Sequence, residues 1–159
     1  MSTEVIDLTS ATEKYAIEVP GQPKALPRSR HFHNGFFHGA RREMKVFKSK
    51  VREAIPETAS GPLYARGVPV QMEVKFYMRR PNSDFRGGRR TGGVLRSLLP
   101  NARPIRPDID NLAKFVLDAS NGLFYDDDRQ VVKLTLYKLL DNAGECEGRT
   151  VIHCSECES

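Results

Sequence analysis

The segment Arg106–Leu136 constrains the fold of this chain most, because a helical pattern and a strand pattern follow one another within it. The helical part has apolar residues at i, i+3, i+4 and i+7, which are Leu112, Phe115, Val116 and Ala119. This spacing predicts a helix with one buried face, and Asn121-Gly122 ends it. The strand pattern consists of alternating apolar residues, which are Val132, Leu134 and Leu136.

Acidic side chains stand at both ends of that predicted helix. Asp108 and Asp110 come just before it, and Asp126, Asp127 and Asp128 follow it where the strand begins. Its polar face repeats every four residues, as Asp110, Lys114 and Asp118. Hard divalent cations such as Mg²⁺ take carboxylate and phosphate oxygens as ligands, and such an ion can activate water against a phosphodiester. A nearby lysine can stabilise the charge that develops in the reaction.

A simpler interpretation of these acids needs no metal. Asp is favoured at helix N-termini, so Asp108 and Asp110 could serve only as caps. Lys114 would then only pair with a neighbouring aspartate, and the three consecutive acids would form a solvated turn. For an isolated D-x-D this interpretation is the stronger one. The ordered set of D-x-D, a lysine four residues on, and a second acidic group at a strand entrance favours a metal-dependent site.

The motifs in this segment resemble those of the RusA-type Holliday-junction resolvases. The run Pro107–Ala119 reads P-D-I-D-N-L-x-K-x-x-L-D-A, and Asp127–Val131 reads D-D-x-Q-V. The resemblance covers most of Tyr15–Cys154 and is highly specific at Asp108–Gln130. It implies a metal-dependent endodeoxyribonuclease that resolves four-way DNA junctions as a homodimer, with Mg²⁺ as the cofactor and Mn²⁺ as a substitute.

The resemblance also assigns roles to residues by position. Asp108, Asp110 and Asp128 match the catalytic, metal-binding aspartates of the family, and Lys114 matches its catalytic lysine. Asp127 matches the other acid of the D-D-x-Q-V run and is included as a metal ligand. Asp126 has no acidic counterpart.

The length of 159 residues predicts a single domain with a core of its own. We expect this domain at 15–154, between a disordered tail at 1–14 and a short C-terminal tail at 155–159. The predicted fold is α/β (α+β-like), with a small mixed sheet of about four strands and two main helices. Residues 1–14 resemble neither a signal nor a transit peptide, and no apolar run is long enough to span a membrane. We therefore expect a cytoplasmic protein, and the RusA resemblance implies a bacterial, viral or phage origin.

Periodicity places the remaining elements. Alternation predicts strands at the following segments: Tyr15–Val19, Val70–Met78, Val132–Leu140 and Arg149–Cys154. An apolar stripe from Ala40 to Ile55 predicts the other helix. Asn34-Gly35 predicts a hairpin turn in an Arg-, His- and aromatic-rich segment. That hairpin is either a nucleic-acid contact, with Arg28 and Arg30 as candidates, or an ordinary surface feature.

The segment Arg79–Arg106 carries most of the positive charge. It holds eight arginines against one acid, Asp84, a net charge of 8 − 1 = +7, whereas the whole chain has +5. Such a loop is either a guide for a nucleic-acid backbone or a solubilising surface, and its position directly before the acids favours the first. Glycine pairs within it predict mobility. The DNA-binding candidates here are Arg79, Arg80, Arg86, Arg89, Arg90, Arg103 and Arg106.

Other metal and cofactor motifs are weaker. Cys146, His153, Cys154 and Cys157 could be counted as a zinc set, but adjacent strand residues point in opposite directions. A calcium loop starting at Asp126 would need other residues at Val131 and Tyr137. There is no phosphate-binding or dinucleotide-binding glycine motif, so no nucleotide cofactor is expected. Two alternatives to a resolvase stay open: a nuclease for other branched or single-stranded DNA, and a non-catalytic junction-binding module.

Overall fold

A computed structural model of the chain describes residues 14–26, 31–32, 35–36, 40–56, 61–89, 92–96 and 99–158. The elements in chain order are β1 (Lys14–Pro20), β2 (His31–Phe32), β3 (Gly35–Phe36), α1 (Arg41–Ala54), β4 (Val70–Met78), β5 (Phe85–Arg86), β6 (Val94–Leu95), α2 (Ile109–Ser120), β7 (Val131–Leu140) and β8 (Arg149–Glu156). The main sheet has the strand order β1-β8-β4-β7. β8 is antiparallel to both of its neighbours, and β4 is parallel to β7.

Both helices contribute to a core on one face of the main sheet. Every second side chain of β4 from Val70 to Met78 is buried, while the intervening ones are partly exposed. The apolar stripes of α1 and α2 join the same buried cluster, and the rings of Phe47 and Phe115 meet edge to face with their centroids 5.5 Å apart. The predicted fold class is therefore confirmed. Among the described residues, no helix is long and apolar enough to cross a membrane.

The crossover between β4 and β7 places the acidic residues. Parallel neighbours need a long connection, usually helical, because the chain must return to the same end of the sheet. Here that connection contains α2. Asp108 stands at the start of this helix, and Asp126–Asp128 stand where the chain turns into β7.

The first and last strands extend one and two residues beyond the predicted bounds 15–154. Polar composition predicts a tail through Lys14, but this residue already belongs to β1 and pairs with Ser155 of β8. For the same reason, Ser155 and Glu156 belong to β8 rather than to a C-terminal tail. Residues 1–13 lie outside the described residues.

The two strands of the predicted hairpin are present. Phe32 of β2 pairs with Gly35 of β3. Gly35, predicted as a turn residue, is therefore a strand residue. Residues 33 and 34 lie outside the described part of the chain, as do Arg28 and Arg30.

The glycines of the basic segment allow a tight turn where the sequence predicts a mobile loop. β5 and β6 pair there in an antiparallel arrangement, and the Gly93 amide donates to the Gly88 carbonyl at 3.0 Å. A Cβ atom at Gly93 would lie 2.3 Å from the Arg86 carbonyl oxygen. The backbones approach so closely that only glycine fits at this position.

The three cysteines are free thiols. Cys154 is buried and its neighbour His153 is exposed, so the two point to opposite faces of β8. The described residues contain no group of three or more His, Cys, Asp or Glu side chains that could hold a metal ion. The zinc alternative therefore gains no support.

We expect Cys154 to make the protein less stable at alkaline pH. Burial raises the pKa of its thiol from 9.0 to about 12, so the folded state holds the proton more tightly than the unfolded chain does. The free energy of unfolding should then fall as the pH rises from about 9 to about 12. Urea unfolding at pH 8 and pH 10 tests this, with Cys154→Ala as the comparison. Burial also raises the pKa of Tyr125, and this residue contributes equally to the pH dependence of both proteins. An equal decline in the free energy of unfolding of the two proteins would therefore contradict the assignment to Cys154.

Candidate active site

Asp108 occupies the N-cap position of α2, but its carboxylate does not cap the helix. Its backbone is extended, with φ −67° and ψ 145°, and its side chain accepts no capping hydrogen bond. The first helical hydrogen bond, from the Leu112 amide to the Asp108 carbonyl at 3.2 Å, uses only the backbone. The capping interpretation therefore does not account for this side chain.

Asp110 and Lys114 lie one turn apart on the exposed face of α2. The Lys114 ammonium is 3.4 Å from the Asp110 carboxylate, and the two side chains are 61% and 62% exposed. The pair expected from the simpler interpretation is thus present. Exposed pairs of this kind contribute only about 0–1 kcal/mol, so either group can turn to another partner at little cost.

The second acidic group forms a structured turn. Residues Asp128–Gln130 make a single 3₁₀ turn, with Asp127 at its N-cap. The Asp127 carboxylate accepts from the Arg129 amide at 2.9 Å and also pairs with the Arg129 guanidinium. These contacts, of which the hydrogen bond from the Arg129 amide has the largest effect, hold the pKa of Asp127 below its ordinary value. Asp127 is therefore engaged locally, whereas Asp128 is exposed.

Gln130 fixes this turn, a role that the sequence does not reveal. Its side chain is buried and its oxygen accepts from the amides of Asp126 and Asp127 at 3.0 and 3.3 Å. Its nitrogen donates to the carbonyls of Ala65 and Val68 at 2.9 and 3.1 Å. Gln130 thus connects the acidic turn to the loop before β4. The only sequence signal for it is its place in D-D-x-Q-V.

The two acidic groups are attached to different ends of α2. The chain turns tightly after the helix, since the amides of Leu123 and Phe124 both donate to the Ser120 carbonyl at 3.0 Å. The Tyr125 hydroxyl then donates to the Leu117 carbonyl at 3.0 Å. A twelve-residue helix is about 18 Å long. Carboxylate oxygens are the ligands that a hard cation such as Mg²⁺ prefers. Among the described residues, however, no three such side chains come together around one point.

Arg80 is buried, which does not support the DNA contact predicted for it. It is 2% exposed, and its guanidinium donates only to protein acceptors. The acceptors are Asp84 Oδ2 at 3.0 Å, the Asp141 carbonyl at 2.9 Å, Asn101 Oδ1 at 3.1 Å and Asn142 Oδ1. Arg103 also pairs with Asp84. These residues form what we call the Arg80 hub, which joins β4, the basic segment and the β7–β8 turn.

The other basic candidates are distributed over the surface. Arg79 and Arg89 both pair with Glu147. Arg86 and Arg106 are exposed, and Arg106 directly precedes the Pro107-Asp108 step. Arg90 lies outside the described residues. The DNA-binding role of the exposed arginines and the metal-binding role of the site aspartates remain predictions.

A comparison with protein families decides the class to which this site belongs. A family model described as Endodeoxyribonuclease RusA matches residues 20–152. The chain belongs to the RusA endodeoxyribonuclease family. The RusA resemblance of the D-x-D and D-D-x-Q-V motifs is therefore confirmed, and the chain is placed among nucleases that hydrolyse DNA. Its RusA-family match includes both acidic groups and the whole basic segment.

A relative from Bacillus subtilis (strain 168) extends this comparison. The uncharacterized protein YqaN is 37% identical to this chain over 123 residues, which are 76% of this chain and 83% of that protein. The match covers most of both chains. It adds no activity, because that protein is itself uncharacterized.

Proposed function

We propose that this protein is a Mg²⁺-dependent Holliday-junction resolvase, which cuts four-way DNA junctions by paired nicks in recombination and repair. The observation that carries the proposal is the D-x-D at the start of α2. Its first carboxylate does not cap the helix, and its second stands exposed beside Lys114. These two acids and Lys114 belong to the RusA motif, and their exposure and chemistry suit phosphodiester hydrolysis.

Each side chain of the site has a proposed task. Asp108 and Asp110 at the start of α2, and Asp128 beyond its end, would hold one or two Mg²⁺ ions, or Mn²⁺ in their place, with Asp127 as an assisting ligand. The ion supplies water activation and neutralises phosphate charge. Lys114 can leave its weak pair with Asp110 and donate to a phosphate oxygen, where its charge stabilises the transition state.

The exposed arginines would hold the DNA backbone. Arg79, Arg86 and Arg106 are exposed members of the basic segment that leads into Asp108, and Arg89 in the same segment is partly buried. Their charges favour phosphate, so junction binding should weaken steeply as the salt concentration rises. A homodimer completes the proposal, because a four-way junction has approximate two-fold symmetry and a C2 dimer offers it two equivalent sites.

Nicking of a mobile four-way junction tests this function. We expect paired, symmetric nicks with Mg²⁺, no nicks with EDTA, and no cutting of linear duplex of the same sequence at the same salt concentration. Tight junction binding without cleavage under Mg²⁺ or Mn²⁺ would instead identify a binding module. Preferred cutting of flaps or single strands would keep the metal-dependent chemistry and replace the substrate.

A further inference from the structure

Lys138 of β7 binds the backbone directly before the D-x-D. Its ammonium donates to the Ile105 carbonyl at 2.7 Å and to the Pro107 carbonyl at 3.0 Å. The Pro107 carbonyl belongs to the peptide group that joins Pro107 to Asp108. Hydrogen bonds from a charged donor are shorter and stronger than neutral ones, so this lysine holds the peptide plane from which the Asp108 side chain departs.

The place of Lys138 in the sheet makes this contact specific. Lys138 pairs with Phe76 of β4, whose side chain is fully buried on the helix-covered face. Lys138 is therefore on the inner side of β7 and is partly buried. Placing a charge there is costly unless it is hydrogen-bonded. The two carbonyls meet that requirement, and an apolar residue would fit the strand pattern better if no such contact were needed.

The segment Asn101–Pro107, which we call the approach segment, has little regular structure of its own. Two of its residues are prolines, which have no amide hydrogen to donate. Its first residue is held by the Arg80 hub through the Asn101 side chain. Its last residue is held by Lys138. The direction in which the chain enters α2 thus depends on Arg80, two residues beyond β4, and on Lys138 of β7.

We propose that Lys138 is a positioning residue for the nuclease site, which sets the orientation of Asp108 and Asp110 without touching the substrate. This inference rests on the proposed function. Active sites tolerate little displacement, since a shift of about 1 Å can cost about a hundredfold in rate. An anchored peptide plane before Asp108 is a direct way to limit such a shift.

The test compares Lys138→Met with Lys133→Met, which removes the same charge from the same strand. Lys133 pairs with Gln71 on the opposite face of the sheet and is exposed. We expect Lys138→Met to lower the single-turnover cleavage rate at saturating protein by about tenfold or more. Junction affinity measured in EDTA should stay unchanged. Lys138→Arg, which keeps a charged donor, should recover part of the rate, and Lys133→Met should cleave like the unaltered protein.

Hydrogen exchange gives a readout that does not depend on cleavage. The amides of Ile105 and Leu112, which donate to the Arg103 and Asp108 carbonyls, should exchange faster in Lys138→Met, while those of β4 remain protected as in the unaltered protein. Equal cleavage and equal exchange in the two proteins would overturn the proposal, and so would an equal loss in Lys133→Met. If the unaltered protein cuts no DNA, the proposed function fails, but the exchange comparison still decides whether Lys138 anchors the approach segment.

Discussion

Replacement of Asp110 by Asn should abolish junction cleavage and leave the fold unchanged. The Asp110 side chain is 62% exposed and forms a weak ion pair with Lys114, so the variant should lose less than about 1 kcal/mol of stability. Asn keeps the size of the side chain but lacks the negative charge that a metal ligand needs. We expect the cleavage rate to fall by about a hundredfold or more, as when one preorganised electrostatic group is removed from an active site.

Binding should move in the opposite direction from cleavage. Asp110 adds a negative charge to the surface that would meet phosphates, so Asp110→Asn should bind the junction in EDTA as tightly as the unaltered protein or more tightly. Asp126→Asn is the matched control, because Asp126 is exposed and has no acidic counterpart in the RusA motif. It should cleave normally. Full cleavage by Asp110→Asn would remove Asp110 from the site, and equal losses in both variants would point to general electrostatics.

Replacement of Arg80 by Met should cause the largest loss of stability. The side chains of Arg80 and Asp84 are 1% and 3% exposed. Removing Arg80 leaves Asp84 with Arg103 and leaves the Asp141 carbonyl without that donor. Removing one partner of a buried pair costs about 3–5 kcal/mol when the remaining charge is left unpaired. Arg103 still pairs with Asp84, so we expect a loss near the lower end of that range.

Urea unfolding at low temperature measures that cost. Arg79→Met is the matched control, since the adjacent Arg79 is exposed and pairs with the half-exposed Glu147, so it should lose less than about 1 kcal/mol. An unfolding midpoint in Arg80→Met equal to that of Arg79→Met would show that the hub does not stabilise the fold.

The salt dependence of DNA binding separates a structural arginine from one that contacts DNA. Arg106→Met should reduce its slope by about 1, whereas Arg80→Met should not, because the buried guanidinium meets no phosphate.

Local periodicity determined the main elements of this protein. The apolar stripe of α2 and the alternation of β4 each report which side of one element is buried, and this information is contained within a few neighbouring residues. The structure has both elements where the sequence predicts them. The acidic motifs likewise identified the RusA family, because their spacing along the chain is itself the signal.

Contacts between distant segments were decided only by the tertiary structure. Arg80 is one of eight arginines in its segment by composition, yet it is buried because β4 brings it against Asn101 and Asp141. In the sequence, Lys138 only interrupts the apolar pattern of a strand. Its role becomes visible in the structure, where its ammonium donates to the Ile105 carbonyl of the approach segment. Val132 belongs to an apolar alternation but is 61% exposed, because it lies at the register shift between β4 and β7 and has no paired residue in β4. Burial of these side chains depends on which strands become neighbours, and the pattern within one strand does not contain that choice.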